Sequence, residues 1–555
     1  MTTYIMIIPS IIILFGIYLN NKFIQYFIQG YTYLIAIPVL FLGVVDMSLY
    51  SYWGFKLDIT PLLYLKTPGD AIASVALSEI LLLLGIFFAF SYLVFFFYRK
   101  FLGGNMRCKR IHWMISIPIG FFTLGLLFII ARGGIGISTM NLSRVYFHKE
   151  RFLNHSAINV TWNTLYSFIE RNKLQTNYHF MDDLIAEEVL NKQLQDPPGE
   201  IPLRVKPRAN ILLIILESFS NKIISSLGGE EGVTPMLDSL CMKSIVFDSF
   251  YASGDRSDKG LVSIFSGYPA QPVTSIIDYP SKSEKLPFLY EKFSLNGYQT
   301  GFYYGGDINF ANFKSYFSNP FVHKLITKTD FPPTDQIQKW GVPDGTLFNL
   351  LKSDIDASQS PFFYSCFTLS SHEPFDVPMK PVFGTSNRDQ LSKNGFYYTD
   401  SVLHVFLSEA SKSSWWENTL VIITSDHGSR SPGNTPNHTS EKFKIPMIWC
   451  GGAVLSMDTV INHVGSQIDI PATLLALFGF DHSEYPYSRN FLNPRSPDFT
   501  FYAFNNGFGC ISPDGYVVYD NDFNKCLLEQ GQNPQKSLQI GKAFLQLLST
   551  DFLKK

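Results

Sequence analysis

Charge is scarce in this 555-residue chain, where Asp, Glu, Lys and Arg together make up 16 %, against about a quarter in an ordinary soluble protein. Neither sign dominates: 44 basic residues face 46 acidic ones, for a net charge of −2. That balance gives no electrostatic reason to expect nucleic acid as a partner. Cysteine is sparse too. The six residues are scattered and no two form a C-x-x-C pair, which leaves no cysteine-based motif to build on. Cys510 and Cys526 flank a hairpin-like stretch and are expected to pair in an oxidising compartment, whereas Cys108 is expected to face a reducing cytoplasm. The first apolar run has no basic stretch before it, which argues against a cleaved signal peptide.

What the chain has in abundance is apolar sequence, 46 % of all residues, concentrated in the first quarter. Four runs, at about 4–19, 31–50, 74–98 and 113–131, approach or exceed the roughly 20 residues that a helix needs to cross a bilayer. A stretch such as "LLLLGIFFAFSYLVFFFY" has no polar face, so a set of amphipathic core helices does not account for it. The connection after the third run, "RKFLGGNMRCKR", carries Arg99, Lys100, Arg107, Lys109 and Arg110. Basic loops stay cytoplasmic, so everything beyond residue 132 is expected outside the cytoplasm, as is the N-terminus.

The segment 132–195 reads as amphipathic helices ("SRVYFHKERF", "NTLYSFIERNK", "MDDLIAEEVLNKQL"), a juxtamembrane connector suited to the bilayer surface. "DPPGEIPLRVKPRAN", with Pro197, Pro198, Pro202 and Pro207, then suits a linker. From residue 209 short apolar runs ("ILLIIL", "YQTGFYY", "FFYSCFTL", "TLVIIT", "IPMIWC") alternate with helical segments. Strands buried on both faces between helices predict an α/β fold with a mostly parallel sheet. The tail, "FTFYAFNNGFGCISPDGYVVYDND", alternates and turns at Pro513-Asp514-Gly515, which predicts a small antiparallel unit. The expected domains are a transmembrane bundle at 1–131, the connector and linker at 132–207, a catalytic α/β domain at 208–490, and an antiparallel unit with a terminal helix at 491–555.

In open α/β sheets chemistry gathers at the carboxyl ends of strands. There "ILLIIL" runs into Glu217, and "TLVIIT" runs into "TSDHGSR" with Asp426 and His427. Two carboxylates and an imidazole make a hard-to-borderline site for Mn²⁺, Mg²⁺ or Zn²⁺. Such a site still lacks a ligand, and "SGDRSDKG" (253–260) offers two serines, Ser253 and Ser257, at a strand-to-helix turn. Helix N-terminal amides there favour an anion such as phosphate, and a metal would activate the hydroxyl as a nucleophile. Arg256 and Lys259 suit phosphate charge; they suit ion pairs with Asp255 and Asp258 equally well.

The order of "NILLIILESFS", "TPMLDSL", "SGDRSDKG", "FSGYPAQP", "TLSSHEPFDVP", "ITSDHGSR", "IPMIWCGG" and "SQIDIPATLLALFGF" over 208–482 resembles the lipoteichoic acid synthase family, within the alkaline phosphatase and sulfatase superfamily. The resemblance implies one divalent metal, manganese before magnesium or zinc, held by Glu217, Asp426, His427 and the nucleophile. It matches the nucleophile to Ser257, His372 to a substrate-side proton donor, and Arg256, Lys259 and His438 to the substrate side. It implies a multi-pass protein of a bacterial cell membrane, with a phospholipid donor and a glycan or polymer acceptor outside the cytoplasm. A phosphoglycerol-type head group would pass through a phosphoserine.

The sequence also departs from that family. Tyr304 stands where the phosphoglycerol pocket has a histidine, and no Arg follows Asn312 in "FYYGGDINFANFKSYF". A phosphoethanolamine head group, or hydrolysis of a phosphodiester, therefore remains an alternative. A sulfate ester hydrolase fits less well, because Ser257 is followed by Asp258, Lys259 and Gly260 rather than the C/S-x-P-x-R pattern of formylglycine enzymes.

Overall fold

The computed structural model describes residues 1–15, 21–53, 56–57, 77–102, 112–174, 178–197, 199, 203–358, 361–455 and 460–555. Arg107, Cys108, Lys109, Arg110, Pro198 and Pro202 lie outside the described residues. The chain divides into two compact units, Met1–Gln175 and Thr176–Lys555.

In the first unit the apolar runs form α1 (Thr2–Phe15), α2 (Asn21–Trp53), α3 (Leu77–Phe97) and α4 (Trp113–Arg132). Among the described residues three stretches, Lys22–Tyr50, Ser78–Phe101 and Met114–Arg132, are long and apolar enough to cross a membrane. The run read at 4–19 gives a helix of 14 residues, shorter than a span needs, with 16–20 outside the described residues. Phe88, Phe121 and Phe128 stand exposed on these helices. Such a belt is costly in water but matches the acyl chains of a bilayer.

α2 and α3 run antiparallel, tied where the first ends and the second begins by Ser48 Oγ donating to Glu79 Oε1 at 2.7 Å. The helices α5 (Arg151–Ala157) and α6 (Val160–Leu174) fold back on that same end. Tyr50 Oη lies 2.9 Å from His155 Nδ1, and Asn163 and Thr164 donate to the Leu57 carbonyl. Arg99 and Lys100 sit past the opposite end of α3.

The second unit is built on an eight-stranded sheet of order β5-β4-β6-β1-β7-β8-β2-β9. The strands are β1 (Asn210–Leu216), β2 (Ile245–Phe247), β4 (Gln299–Tyr304), β5 (Lys324–Ile326), β6 (Phe362–Phe367), β7 (Thr419–Ser425), β8 (Ile448–Cys450) and β9 (Val460–Ile461). All share one direction except β8, which pairs antiparallel with both neighbours. β1, "NILLIIL", is buried at every position, as a strand covered on both faces by crossover helices must be. Beside this sheet, β3 (Phe250–Tyr251) pairs with β10 (Gly465–Ser466).

β11 (Thr500–Phe504), β12 (Gly507–Ser512), β13 (Gly515–Asp520) and β14 (Lys525–Gln530) form the antiparallel unit read in the tail. The anticipated Cys510–Cys526 pairing does not occur. Cys510 lies on β12 opposite Val517, and Cys526 lies on β14 opposite Tyr519. With β13 between them the two strands are about 9–10 Å apart, beyond the reach of a disulfide. Both thiols are free.

The helix α7 (Asp183–Gln193), read from the sequence as part of the connector, belongs to the second unit. Gln546 of the terminal helix α14 (Pro534–Lys554) accepts the N–H groups of Phe180 and Met181 and donates to the Met181 carbonyl and Asp183 Oδ1.

A buried ion pair fixes the turn after β10. Arg489 Nη2 meets Asp469 Oδ2 at 2.9 Å with side chains 1 % and 0 % exposed, and the guanidinium also donates to the carbonyls of Pro497 and Phe499. Removing one partner strands a buried charge. Arg489→Met is expected to destabilise the unit by about 3–5 kcal/mol, read as a lowered denaturation midpoint of the full chain; an unchanged midpoint would contradict this role.

Candidate active site

β1 and β7 pair in parallel with Leu216 opposite Ser425, so the next residues, Glu217 and Asp426, leave the sheet side by side. Glu217 is 2 % exposed and Asp426 fully buried. His427 comes next, and ligand atoms of the three lie within 4.8 Å of one another. His427 Nε2 is 3.4 Å from Asp426 Oδ2 and 4.0 Å from Glu217 Oε1. Its Nδ1 is 3.1 Å from the Gly428 carbonyl. A carbonyl can only accept, so Nδ1 carries the proton and Nε2 presents its lone pair to the carboxylates. Burial, and then the Asp426 charge beside it, push the Glu217 carboxyl well above the usual range.

The two carboxylates are oriented by short hydroxyl side chains. Ser218 adopts φ 60, a left-handed conformation uncommon outside glycine, which aims its N–H at Asp426 Oδ1 (2.8 Å) while its Oγ donates to Glu217 Oε1 (2.7 Å). Asp426 Oδ1 also receives the His427 N–H at 2.8 Å. Asp426 Oδ2, by contrast, is buried with no hydrogen-bond partner among the described residues. An unsatisfied buried carboxylate oxygen is expensive. A divalent cation held by Glu217, Asp426 and His427 would satisfy it, and the donor set of oxygen and nitrogen fits that group.

Ser257 opens α9 (Ser257–Ser266), and its Oγ lies 3.5 Å from Glu217 Oε2. Ser253 is instead fully buried; its Oγ accepts the Ala270 N–H at 2.9 Å. Of the two serines, Ser257 is thus the one whose hydroxyl faces Glu217. Ser257, Glu217, His427, His372 and Arg256 line one cavity of about 490 Å³.

The other sequence-derived residues divide. Arg256 is exposed at the cavity. Lys259 turns away into a buried ion pair with Asp255 at 3.0 Å. His438 is not among the cavity residues; its carbonyl accepts from Tyr502 Oη. His372 Nδ1 is 2.8 Å from the Glu373 carbonyl, which again leaves Nε2 as the basic nitrogen. Burial lowers its pKa, so the ring rests neutral near pH 7. Tyr304 packs inward, 3 % exposed and stacked on Phe367, while Asn312 Nδ2 donates to Asp278 Oδ1 at 2.9 Å beside the cavity.

Three features escaped the sequence reading. Lys442 is 4 % exposed and donates to the Asp255 carbonyl at 3.3 Å. Burial opposes ionisation of Asp255, yet Lys259 and Lys442 beside it hold its carboxyl down at about 2. Ser218 and Gln467 also contact the ligand residues, and no local pattern marks either. For Lys442 the one available signal was the basic residue in "SEKF" (440–443), well downstream of "DHG" (426–428).

Comparison with known proteins finds relatives of this fold. The family described as Sulfatase matches residues 209–480. The lipoteichoic acid synthase of Staphylococcus saprophyticus is 25 % identical over 403 residues, covering 66 % of this chain and 60 % of that protein. The chain spans about half to three fifths of the length of the curated relatives it matches. A crystal structure of an alkaline phosphatase superfamily protein from Vibrio parahaemolyticus aligns with a TM-score of 0.59 at 24 % identity, covering 69 % of this chain and 98 % of that one. That of the lipoteichoic acid synthase LtaP from Listeria monocytogenes aligns at 0.56 and 17 % identity, covering 68 % and 99 %.

Residues 209–480 thus form a sulfatase-family domain of the alkaline phosphatase and sulfatase superfamily. Several of the curated relatives this chain resembles are lipoteichoic acid synthases.

Two measurements probe the site. A cation must displace the proton that Glu217 keeps above the ordinary carboxylate range. Mn²⁺ affinity should therefore strengthen with pH, by up to about tenfold per unit, and level off once Glu217 is ionised. Calorimetric titration at several pH values tests this, and a flat profile would remove Glu217 from the ligand set. The second concerns packing: a Cβ added at Gly260 would lie 1.9 Å from the Asp426 carbonyl oxygen. Gly260→Ala should therefore displace α9 and lower stability by about 1–3 kcal/mol, seen as a reduced thermal midpoint.

Proposed function

We propose that this chain is a membrane-anchored, metal-dependent transferase. It moves a phosphoglycerol-type head group from a phospholipid, through a phosphoserine at Ser257, to a glycan or polymer acceptor outside the cytoplasm. The observation that carries this reading is the Ser257 hydroxyl at the N-terminus of α9, 3.5 Å from Glu217 Oε2 and beside the Asp426–His427 pair, in a lipoteichoic acid synthase-like domain.

A divalent cation at this centre, manganese or alternatively magnesium or zinc, would lower the hydroxyl's pKa and draw charge from the phosphoryl oxygens. In the first half-reaction Ser257 Oγ bonds to phosphorus as its O–H bond breaks. The bond from phosphorus to the diacylglycerol oxygen breaks, and that oxygen takes up the proton Ser257 released, so the half-reaction is proton-neutral. The amides at the start of α9 and the Arg256 guanidinium suit the phosphate's charge. In the second half-reaction an acceptor hydroxyl gives its proton to His372 Nε2 while its oxygen displaces Ser257, whose oxygen then takes up the proton that His372 received. The neutral resting state of His372 favours this base role; donating to the leaving diacylglycerol requires its minority protonated form.

Orientation follows from charge. Arg99 and Lys100 lie at the end of α3 opposite the one that α5 and α6 cover. Basic ends stay inside, so the α5–α6 end is extracytoplasmic. The face of α6 carrying exposed Leu165, Phe168 and Ile169 suits the bilayer surface.

A second reading, transfer of phosphoethanolamine, draws support from Asp258 and Asp278 lining the cavity, since carboxylates suit an ammonium group. Intact mass of the full chain, incubated with Mn²⁺ and mixed phospholipid vesicles, separates these readings. An adduct that disappears in Ser257→Ala is expected, and its mass identifies the head group. Head-group release that needs Ser257 but leaves no adduct would point to hydrolysis, and neither adduct nor release would overturn the transferase reading. His372→Gln should slow turnover about 10²- to 10⁴-fold while the adduct accumulates; loss of the adduct itself would instead place His372 in the first half-reaction.

A further inference from the structure

The nucleophile and the carboxylate ligands sit on segments far apart in sequence, and one fully buried side chain touches both. Gln467 is 0 % exposed. Its Nε2 donates to the carbonyls of Ser425 and Asp426, each at 2.7 Å. Its Oε1 accepts the Ser253 N–H at 2.9 Å. We propose that Gln467 is a positioning residue that fixes the turn carrying Ser257 against the strand end carrying Asp426 and His427. The proposal rests on the metal-dependent reading above.

The chemistry of the three partners singles out an amide. Two carbonyl oxygens can only accept and a backbone N–H can only donate. Of side chains this size, only the carboxamide supplies two donors on one side and an acceptor on the other. A glutamate would face the two carbonyls with a second acceptor, and a methionine would fill the space without a donor.

Gln467 is itself held. It begins the turn Gln467–Asp469, closed by Ser466 N–H donating to Asp469 Oδ2 at 3.0 Å, and Asp469 is locked by Arg489. Just before it, Ser466 pairs with Tyr251 in the β10–β3 ladder, two residues ahead of Ser253. The turn is thus anchored on both sides. From the other direction Gly260 of α9 packs directly on the Asp426 carbonyl, so any loosening at Gln467 is passed to α9 and to Ser257 at its first turn.

The test compares full-length wild type with Gln467→Met and Gln467→Asn in detergent micelles. Mn²⁺ affinity is followed by electron paramagnetic resonance, alongside kcat, the donor KM and the thermal midpoint. Groups that orient metal ligands are worth about 10- to 100-fold in affinity or activity. Gln467→Met should therefore weaken Mn²⁺ binding and lower kcat within that range, with the donor KM unchanged within about threefold. Gln467→Asn keeps the amide on a stem one methylene shorter and should fall between, and it carries the test should the methionine variant not fold. A folded variant with wild-type Mn²⁺ affinity and kcat would overturn the proposal. So would a fall in thermal midpoint that leaves both unchanged, because the residue would then be purely structural. Wild-type protein that fails to bind Mn²⁺ would sink the metal-dependent reading and this inference together. Binding by wild type that the variants match would sink only the inference.

Discussion

The pairing of β1 with β7 is the constraint on which the rest of the site depends. Two strands that are parallel, adjacent and in register deliver their next residues to the same place. Here Leu216 and Ser425 are partners, and the residues after them are a glutamate and an aspartate. The sheet therefore forces two acidic groups together in a buried position, which folding alone would disfavour. That conflict is eased by the donors around Asp426 Oδ1, and it shows in the Glu217 carboxyl, which burial and then the Asp426 charge push well above its usual range. Asp426 Oδ2 stays unanswered among the described residues. The fold thereby leaves, at the mouth of the sheet, a carboxylate oxygen that a divalent cation would satisfy.

Around this centre the structure uses small hydroxyl side chains where a longer polar residue would not fit. Ser218, Ser425, Ser371 and Thr368 each bond the backbone or side chain of the ligand segments. Close approach demands small residues elsewhere too. Gly260 lets α9 sit on the Asp426 carbonyl, and a Cβ at Gly428 would lie 1.8 Å from the Lys442 carbonyl oxygen. Helix α9 and the loop after β7 are set by backbone contact, so their separation is defined by hard packing rather than by flexible side chains.

How much of this was legible in the sequence depends on the range of the interactions involved. β1, β4, β6 and β7 were readable because a strand buried on both faces must be an unbroken apolar run. Glu217, Asp426 and His427 were readable because they are the first residues past such runs. The reversed direction of β8 was not, since an apolar run carries no information about direction. Lys259 next to Asp255 admitted a phosphate role or an ion pair, and burial selected the pair. Cys510 and Cys526 looked pairable because their separation suits a hairpin, but β13 lies between their strands. Gln467 had no local signal at all: its meaning lies in partners 41, 42 and 214 positions away.

The clasp between α7 and α14 has a mechanical consequence. Gln546 holds the segment at 180–183 by four hydrogen bonds, so the chain entering the second unit is fastened to the helix that ends it. A pull on the chain ahead of residue 180 is met first at this clasp. Load is diverted into the terminal helix and the β-meander beneath it, and the central strands bearing Glu217 and Asp426 are spared. The entry point of this unit and its last helix are thus fastened together as one piece.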